Sequence, residues 1–226
     1  MERDGYTMTE AEWVTSDDHS RMTFFVAKQT SVRKLRLAEV ALCRSVEHHL
    51  VDAHSCHVLS VCEAHADGFA SDGQLAEVRS RAVSVYEGDL PRTSSRRDAY
   101  QLVHAADTEQ RLRLQIDMID LVLFAERPHQ LISPELQAAC IAEAEIIRDV
   151  FGNPFRPVAF DPSWRTETVI SLACCIYAER AFDRLPILAD ALEEAGCNHA
   201  DVLSHCRSPG PHARGCWVVD GVLGKE

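Results

Sequence analysis

Val40, Cys43, Val46 and Leu50 follow one another at steps of three or four residues, with Leu35 and Leu42 beside them, and together they draw one apolar stripe on a helix. Strand-like alternation is almost absent from the chain. Start and stop residues then divide it into successive helices. Thr9 with Glu12 has the form of a capping box, in which a hydroxyl accepts from an early amide and the carboxylate accepts from the cap's own N–H, and it opens a short helix through Trp13. A second helix is predicted over 18–28, and a third begins at Ser31 and runs to about Leu50. Arg33, Lys34 and Arg36 in its first turn oppose the helix dipole, so an acidic partner is expected for them, with Asp17 and Asp18 as local candidates.

Further helices are predicted over 52–66, 71–86, 93–106 and 108–126, the last ended by Arg127-Pro128 because a residue before proline avoids the helical region. Ser133-Pro134-Glu135 then opens a helix that runs to Phe151. The string GNPFRPVAFDPSW at 152–164 holds three prolines and three aromatics, which excludes a helix and predicts an ordered loop docked by its apolar side chains. Four shorter helices are expected after it, over 166–180, 185–195, 200–207 and 213–222. The reading is an all-α fold, a multi-helix antiparallel bundle or short helical array. It has an N-terminal helical region over 1–151, the loop at 152–165 and a C-terminal helical subdomain at 166–226, together one continuous globular unit.

Largely apolar stretches such as 121–125 and 169–173 fall far short of the roughly 20 residues that span a bilayer, so no membrane partner is expected. Of 226 residues, 46% are hydrophobic and 26% charged, a globular composition. The 23 Lys and Arg stand against 35 Asp and Glu, and a net charge of -12 repels nucleic-acid phosphates and anionic membranes. Nine cysteines, an odd number without secreted-scaffold spacing, predict reduced thiols in a cytoplasm.

With 11 His beside the nine Cys, metal chemistry is the candidate to test. His48, His49, His54, Cys56, His57, Cys62 and His65 form the first cluster. Helical geometry disperses it: His54 and His65 share a stripe but lie about 16 Å apart along the axis. His54 with His57, or Cys62 with His65, offers two ligands where a site needs three or four, and no HExxH arrangement is present. The second cluster is Cys197, His199, His205, Cys206, His212 and Cys216, spread across turns that let ligands converge. Cys197, His205, Cys206, His212 and Cys216 are the candidate ligands for a zinc-type ion, with His212 and Cys216 at i and i+4 on one predicted helix face. The competing reading packs Cys197 beside the Gly196 helix stop and has His205 and His212 bonding loop carbonyls.

No phosphate-binding loop, dinucleotide fingerprint or nucleophile elbow occurs, so no catalytic residue is assigned and the reading leans away from an enzyme. Glu143, Glu145, Asp149 and Asp183 read as a solvated acidic face, and Cys174-Cys175 as inert core thiols.

The strings MTEAEW, RKLRL, ADGFASDGQL and FGNPFRPVAFDPSW, and the C-terminal block ERAFDRLPILADALEEAGC through HCRSPGPHARGCWVVDGVLGKE, resemble a paralogue-rich family of uncharacterised planctomycete-type bacterial proteins. FGNPFRP and PHxRGCWVVD carry most of the resemblance, which spans nearly the whole chain. It implies relatives without implying an activity. Gly221-Val222 departs from the family's usual WVVDLLLGKE ending, and the 54–65 helix is richer in His and Cys than is usual there.

The function expected from these residues is a non-enzymatic protein-interaction or regulatory module needing no cofactor. Phe155, Phe160, Trp164 and Trp217 are its anchors for another protein, since aromatics dominate interface energetics. The alternative is a metal-binding protein using Zn²⁺ at the C-terminal cluster, in a structural or a hydrolytic role.

Overall fold

The computed structural model describes residues 7–45, 53–87 and 134–225. Among them the chain forms ten α-helices and two 3-10 turns, with no strand. These are α1 (Glu10–Thr15), α2 (His19–Ala27), α3 (Val32–Ser45), α4 (Ala53–Ala66) and α5 (Asp72–Glu87), then α6 (Pro134–Phe151), α7 (Glu167–Glu179), α8 (Leu185–Glu194), α9 (Ala200–Arg207) and α10 (Trp217–Leu223). The helices expected over 93–106 and 108–126, and residues 46–50 at the end of the third, lie outside the described residues. Contacts group the chain into two units, Met1–Lys28 with Ala144–Glu226, and Gln29–Glu143.

The first unit holds α1, α2, the last turns of α6, and α7 to α10. The Thr9 capping box forms in full: Glu12 N–H donates to Thr9 Oγ1 at 3.2 Å, and Thr9 N–H to Glu12 Oε2 at 2.8 Å. Trp13 is buried, and its indole N–H donates to the Gly152 carbonyl at 3.0 Å. Arg148 on α6 donates to the carbonyls of Trp13 and Ser16, so the last carbonyls of α1, which lack helical partners, are satisfied by a guanidinium. α7 packs against α8 and α10, and α9 against α8 and α10. The core between them takes Val169, Ala173 and Ile176 from α7, Leu185, Leu188 and Leu192 from α8, Val202 from α9, and Val218, Val219 and Val222 from α10. Each fully buried leucine contributes about 1.5–3 kcal/mol.

The loop at 152–165 docks on this core through Val158, Phe160 and Trp164. Two glycines make room for it. Gly152 ends α6 at φ 65°, a left-handed conformation, and a Cβ there would sit 3.1 Å from Trp217 Cγ. Gly221 lies within α10, where a Cβ would stand 2.1 Å from Phe160 Cε2.

The last helix begins later than its sequence suggests, at Trp217 instead of Ala213. Gly215 takes φ 92° and Cys216 is the N-cap, while Ala213 N–H donates to an Asp149 carboxylate oxygen at 2.9 Å. A helix begun at Ala213 could not pass through Gly215 at that φ, and the Ala213 amide is instead taken up by a carboxylate 64 residues away in sequence.

The second unit holds α3, α4 and α5, with α4 packed against both neighbours. Val40, Cys43, Val58, Leu59, Cys62 and Val78 form its core. The acidic partner expected for the α3 cations is Asp67, 3.0 Å from Arg33 Nε; Asp18 instead caps α2 through Arg21 N–H. Arg44 pairs with Glu63 at 2.8 Å, and Arg36 meets His65 Nδ1, whose Nε2 bonds Asp72 at 2.8 Å. No helix among the described residues is long and apolar enough to cross a membrane.

Candidate metal centre

Asp149, His205, His212 and Cys216 meet in the first unit, each presenting one ligand atom, and these atoms all lie within 4.8 Å of one another. Three separate stretches supply them: the last turn of α6, the last turn of α9, and the turn that leads into α10. His212 Nδ1 lies 2.7 Å from Asp149 Oδ1, and His205 Nε2 lies 3.1 Å from the same oxygen and 3.2 Å from Cys216 Sγ.

Local structure orients each group. Ile146, Asp149 and Val150 stand at i, i+3 and i+4, so the helical stripe that buries the two apolar residues carries the carboxylate inward as well. The Asp149 side chain is 2% exposed, and Oδ2 accepts from Ala213 N–H, which turns Oδ1 toward the histidines. The Ser208 carbonyl lies 3.2 Å from His212 Nε2 and accepts its N–H, leaving Nδ1 as the nitrogen facing the centre. The two imidazoles meet edge to face at 5.1 Å, and the Trp217 indole lies against the His205 ring at 5.2 Å. Cys216 is fully buried, the His212 side chain is 7% exposed and that of His205 18%, so the centre is screened from water except beside His205.

Burial pushes the Asp149 carboxyl up, but hydrogen bonds from His205 and His212 and the charge they carry outweigh it and hold the group below the ordinary carboxylate range. Burial likewise pushes the His212 imidazole down, and the Asp149 carboxylate reverses that, leaving it raised. The Cys216 thiol is pushed well above the usual thiol range by burial and then by the neighbouring carboxylate.

Compared with family models, curated proteins and solved structures, the chain matches none.

The structure thus brings together His205, His212 and Cys216 from the C-terminal cluster. His212 and Cys216 do so across a turn, since neither lies inside a helix. Cys197 and Cys206 are buried in the apolar core and are not in the four-residue group; burial pushes the Cys206 thiol up to about 12. Asp149 is the ligand type that sequence reading missed. The solvated acidic face expected for Glu143, Glu145, Asp149 and Asp183 holds for Glu145 and Asp183, which are exposed, and not for Glu143 and Asp149, which are buried. Cys174 and Cys175, expected in the core, are exposed on α7.

In the first His and Cys cluster, His48 and His49 lie outside the described residues, as does the side chain of His54. His57 is exposed, Cys62 is buried in the core of the second unit, and His65 is engaged by Arg36 and Asp72. Of the aromatic anchors, Phe160, Trp164 and Trp217 pack against the core of the first unit. Phe155 is 37% exposed and stacks on Phe25, with ring centroids 5.2 Å apart.

Proposed function

We propose that the protein binds a divalent, zinc-type metal ion through Asp149, His205, His212 and Cys216, and that the ion is structural. The observation that carries this reading is the convergence of one carboxylate oxygen, two imidazole nitrogens and one sulfur within 4.8 Å. With metal–ligand bonds of about 2.0–2.3 Å, ligand atoms at tetrahedral corners stand about 3.3–3.8 Å apart, so the closest contacts, 2.7–3.2 Å, open by about half an ångström to admit the ion, and the widest separations, no more than 4.8 Å, close by about an ångström. The donor set selects the metal. A thiolate with two imidazoles disfavours Mg²⁺ and Ca²⁺, which take oxygen ligands, and suits Zn²⁺.

A structural role follows from the number of ligands and their origin. Four protein groups fill a tetrahedral shell and leave no position for water or substrate, unlike a hydrolytic site with three protein ligands. The ion would tie the end of α6 to the end of α9 and to the turn before α10, which short helices alone hold weakly.

Elemental analysis of protein purified without chelator tests the reading. About one zinc per chain is expected, and stripping it with a chelator should lower the melting temperature, because a ligand bound only by the folded state stabilises it. Zinc, iron and copper all far below stoichiometry after incubation with each ion, with no change in melting on chelation, would remove the metal from the account.

A further inference from the structure

Both imidazoles at the centre must hold one ring nitrogen on the ion, yet they are held in different ways. His212 is fixed by a hydrogen bond, through Nε2 to the Ser208 carbonyl. His205 meets Asp149 and Cys216 through Nε2, and the rest of its ring is packed: the Trp217 indole lies 5.2 Å away and tilted 55°, and the His212 ring 5.1 Å away on edge. Trp217 is itself held from two sides. Gly152 lets it approach so closely that a Cβ there would meet the indole at 3.1 Å, and Phe160 meets it edge to face at 6.1 Å. Phe160 is in turn seated over Gly221, where any Cβ would strike its ring, and against Trp164 at 6.2 Å. A continuous series of contacts therefore runs from the docked loop to a metal ligand.

We infer that Trp217 is a positioning residue for the metal centre, its indole, braced by Phe160, aiming His205 Nε2 at the ion. The inference rests on the metal reading above and gives a specific task to aromatics that would otherwise be only core. Loss of a hydrogen-bonding partner that orients a ligating histidine typically weakens metal affinity about 10–100-fold; that range sets the scale for losing the indole that packs on His205, because the ring then samples orientations that miss the ion. An aromatic replacement keeps the flat surface against the imidazole; an aliphatic one does not.

The test is zinc affinity, measured by competition against a chromophoric chelator, together with the visible absorption of the Co²⁺-loaded protein, for wild type, Trp217→Phe, Trp217→Leu and Phe160→Leu. Trp217→Leu should weaken zinc binding by about 10–100-fold and alter the Co²⁺ spectrum. Trp217→Phe should recover most of both. Phe160→Leu, which frees the indole without removing it, should shift both in the same direction by less, and it decides the matter if Trp217→Leu does not fold. Wild-type affinity and an unchanged Co²⁺ spectrum in folded Trp217→Leu, or in Phe160→Leu where only that variant folds, would overturn the inference even if the melting temperature falls. Such an outcome leaves the metal reading standing. A wild type that takes up neither ion overturns both.

Discussion

Asp149→Ala should lower the unfolding free energy of the metal-free protein by about 3–5 kcal/mol and abolish metal uptake. The carboxylate is buried and serves three donors at once: His205, His212 and the Ala213 amide. Its removal leaves His212 Nδ1 and the Ala213 N–H buried without their acceptor and takes one partner from His205, and a buried group stripped of its partner costs far more than the pair was worth. Asp149→Asn separates the two effects. An amide oxygen can still accept from Ala213, so much of the fold energy should return, but it is a neutral and weaker ligand, so metal affinity should stay low. Urea unfolding of chelator-treated protein, set beside zinc titration, measures both. Near wild-type stability in Asp149→Ala would mean that the buried cluster contributes little to the fold.

Gly221→Ala should destabilise the protein, against the ordinary rule for a helix interior. Propensity alone favours Ala over Gly by about 1 kcal/mol within a helix. Here the new methyl would sit 2.1 Å from Phe160 Cε2 and 2.5 Å from Cδ2 and Cζ. The ring has little freedom to retreat, since it meets Trp164 at 6.2 Å and Trp217 at 6.1 Å and packs on the core. Forcing extra volume into a packed site costs about 1–3 kcal/mol, which outweighs the propensity gain. Thermal unfolding of Gly221→Ala alone and combined with Phe160→Leu checks the cause. The double variant should recover part of the loss because the smaller side chain can make way. A Gly221→Ala protein more stable than wild type would show that Phe160 is not seated as described.

Much of the helical order was legible because its signals are local. Thr9 and Glu12 build their box within one turn, Pro134 opens α6, and Thr166 caps α7 by accepting from Val169 N–H. Where tertiary contacts decide, sequence patterns fall short. Ala213 leaves the helical path because Gly215 turns left-handed, with the Ala213 amide bound to Asp149, and Arg33 reaches Asp67, which follows the end of α4 and lies 34 residues away in sequence. The candidate centre divides in the same way. His205, His212 and Cys216 were visible as a dense cluster, but Cys197 and Cys206 gave the same signal and went to the core, since a thiol is as readily buried as ligated. The one signal that marks Asp149 in the sequence is helical phase. Ile146 and Val150 lie on its stripe, which marks it as an inward-facing acid, while composition alone made it one carboxylate among 35 Asp and Glu.

The central claim is that one thiolate, two imidazoles and one carboxylate share a single ion. X-ray absorption at the zinc edge of the loaded protein addresses it most directly. The account predicts one sulfur at about 2.3 Å and three nitrogen or oxygen neighbours at about 2.0–2.2 Å, with the sulfur lost in Cys216→Ser. A zinc shell without sulfur in the wild type, or one whose sulfur survives Cys216→Ser, would contradict it.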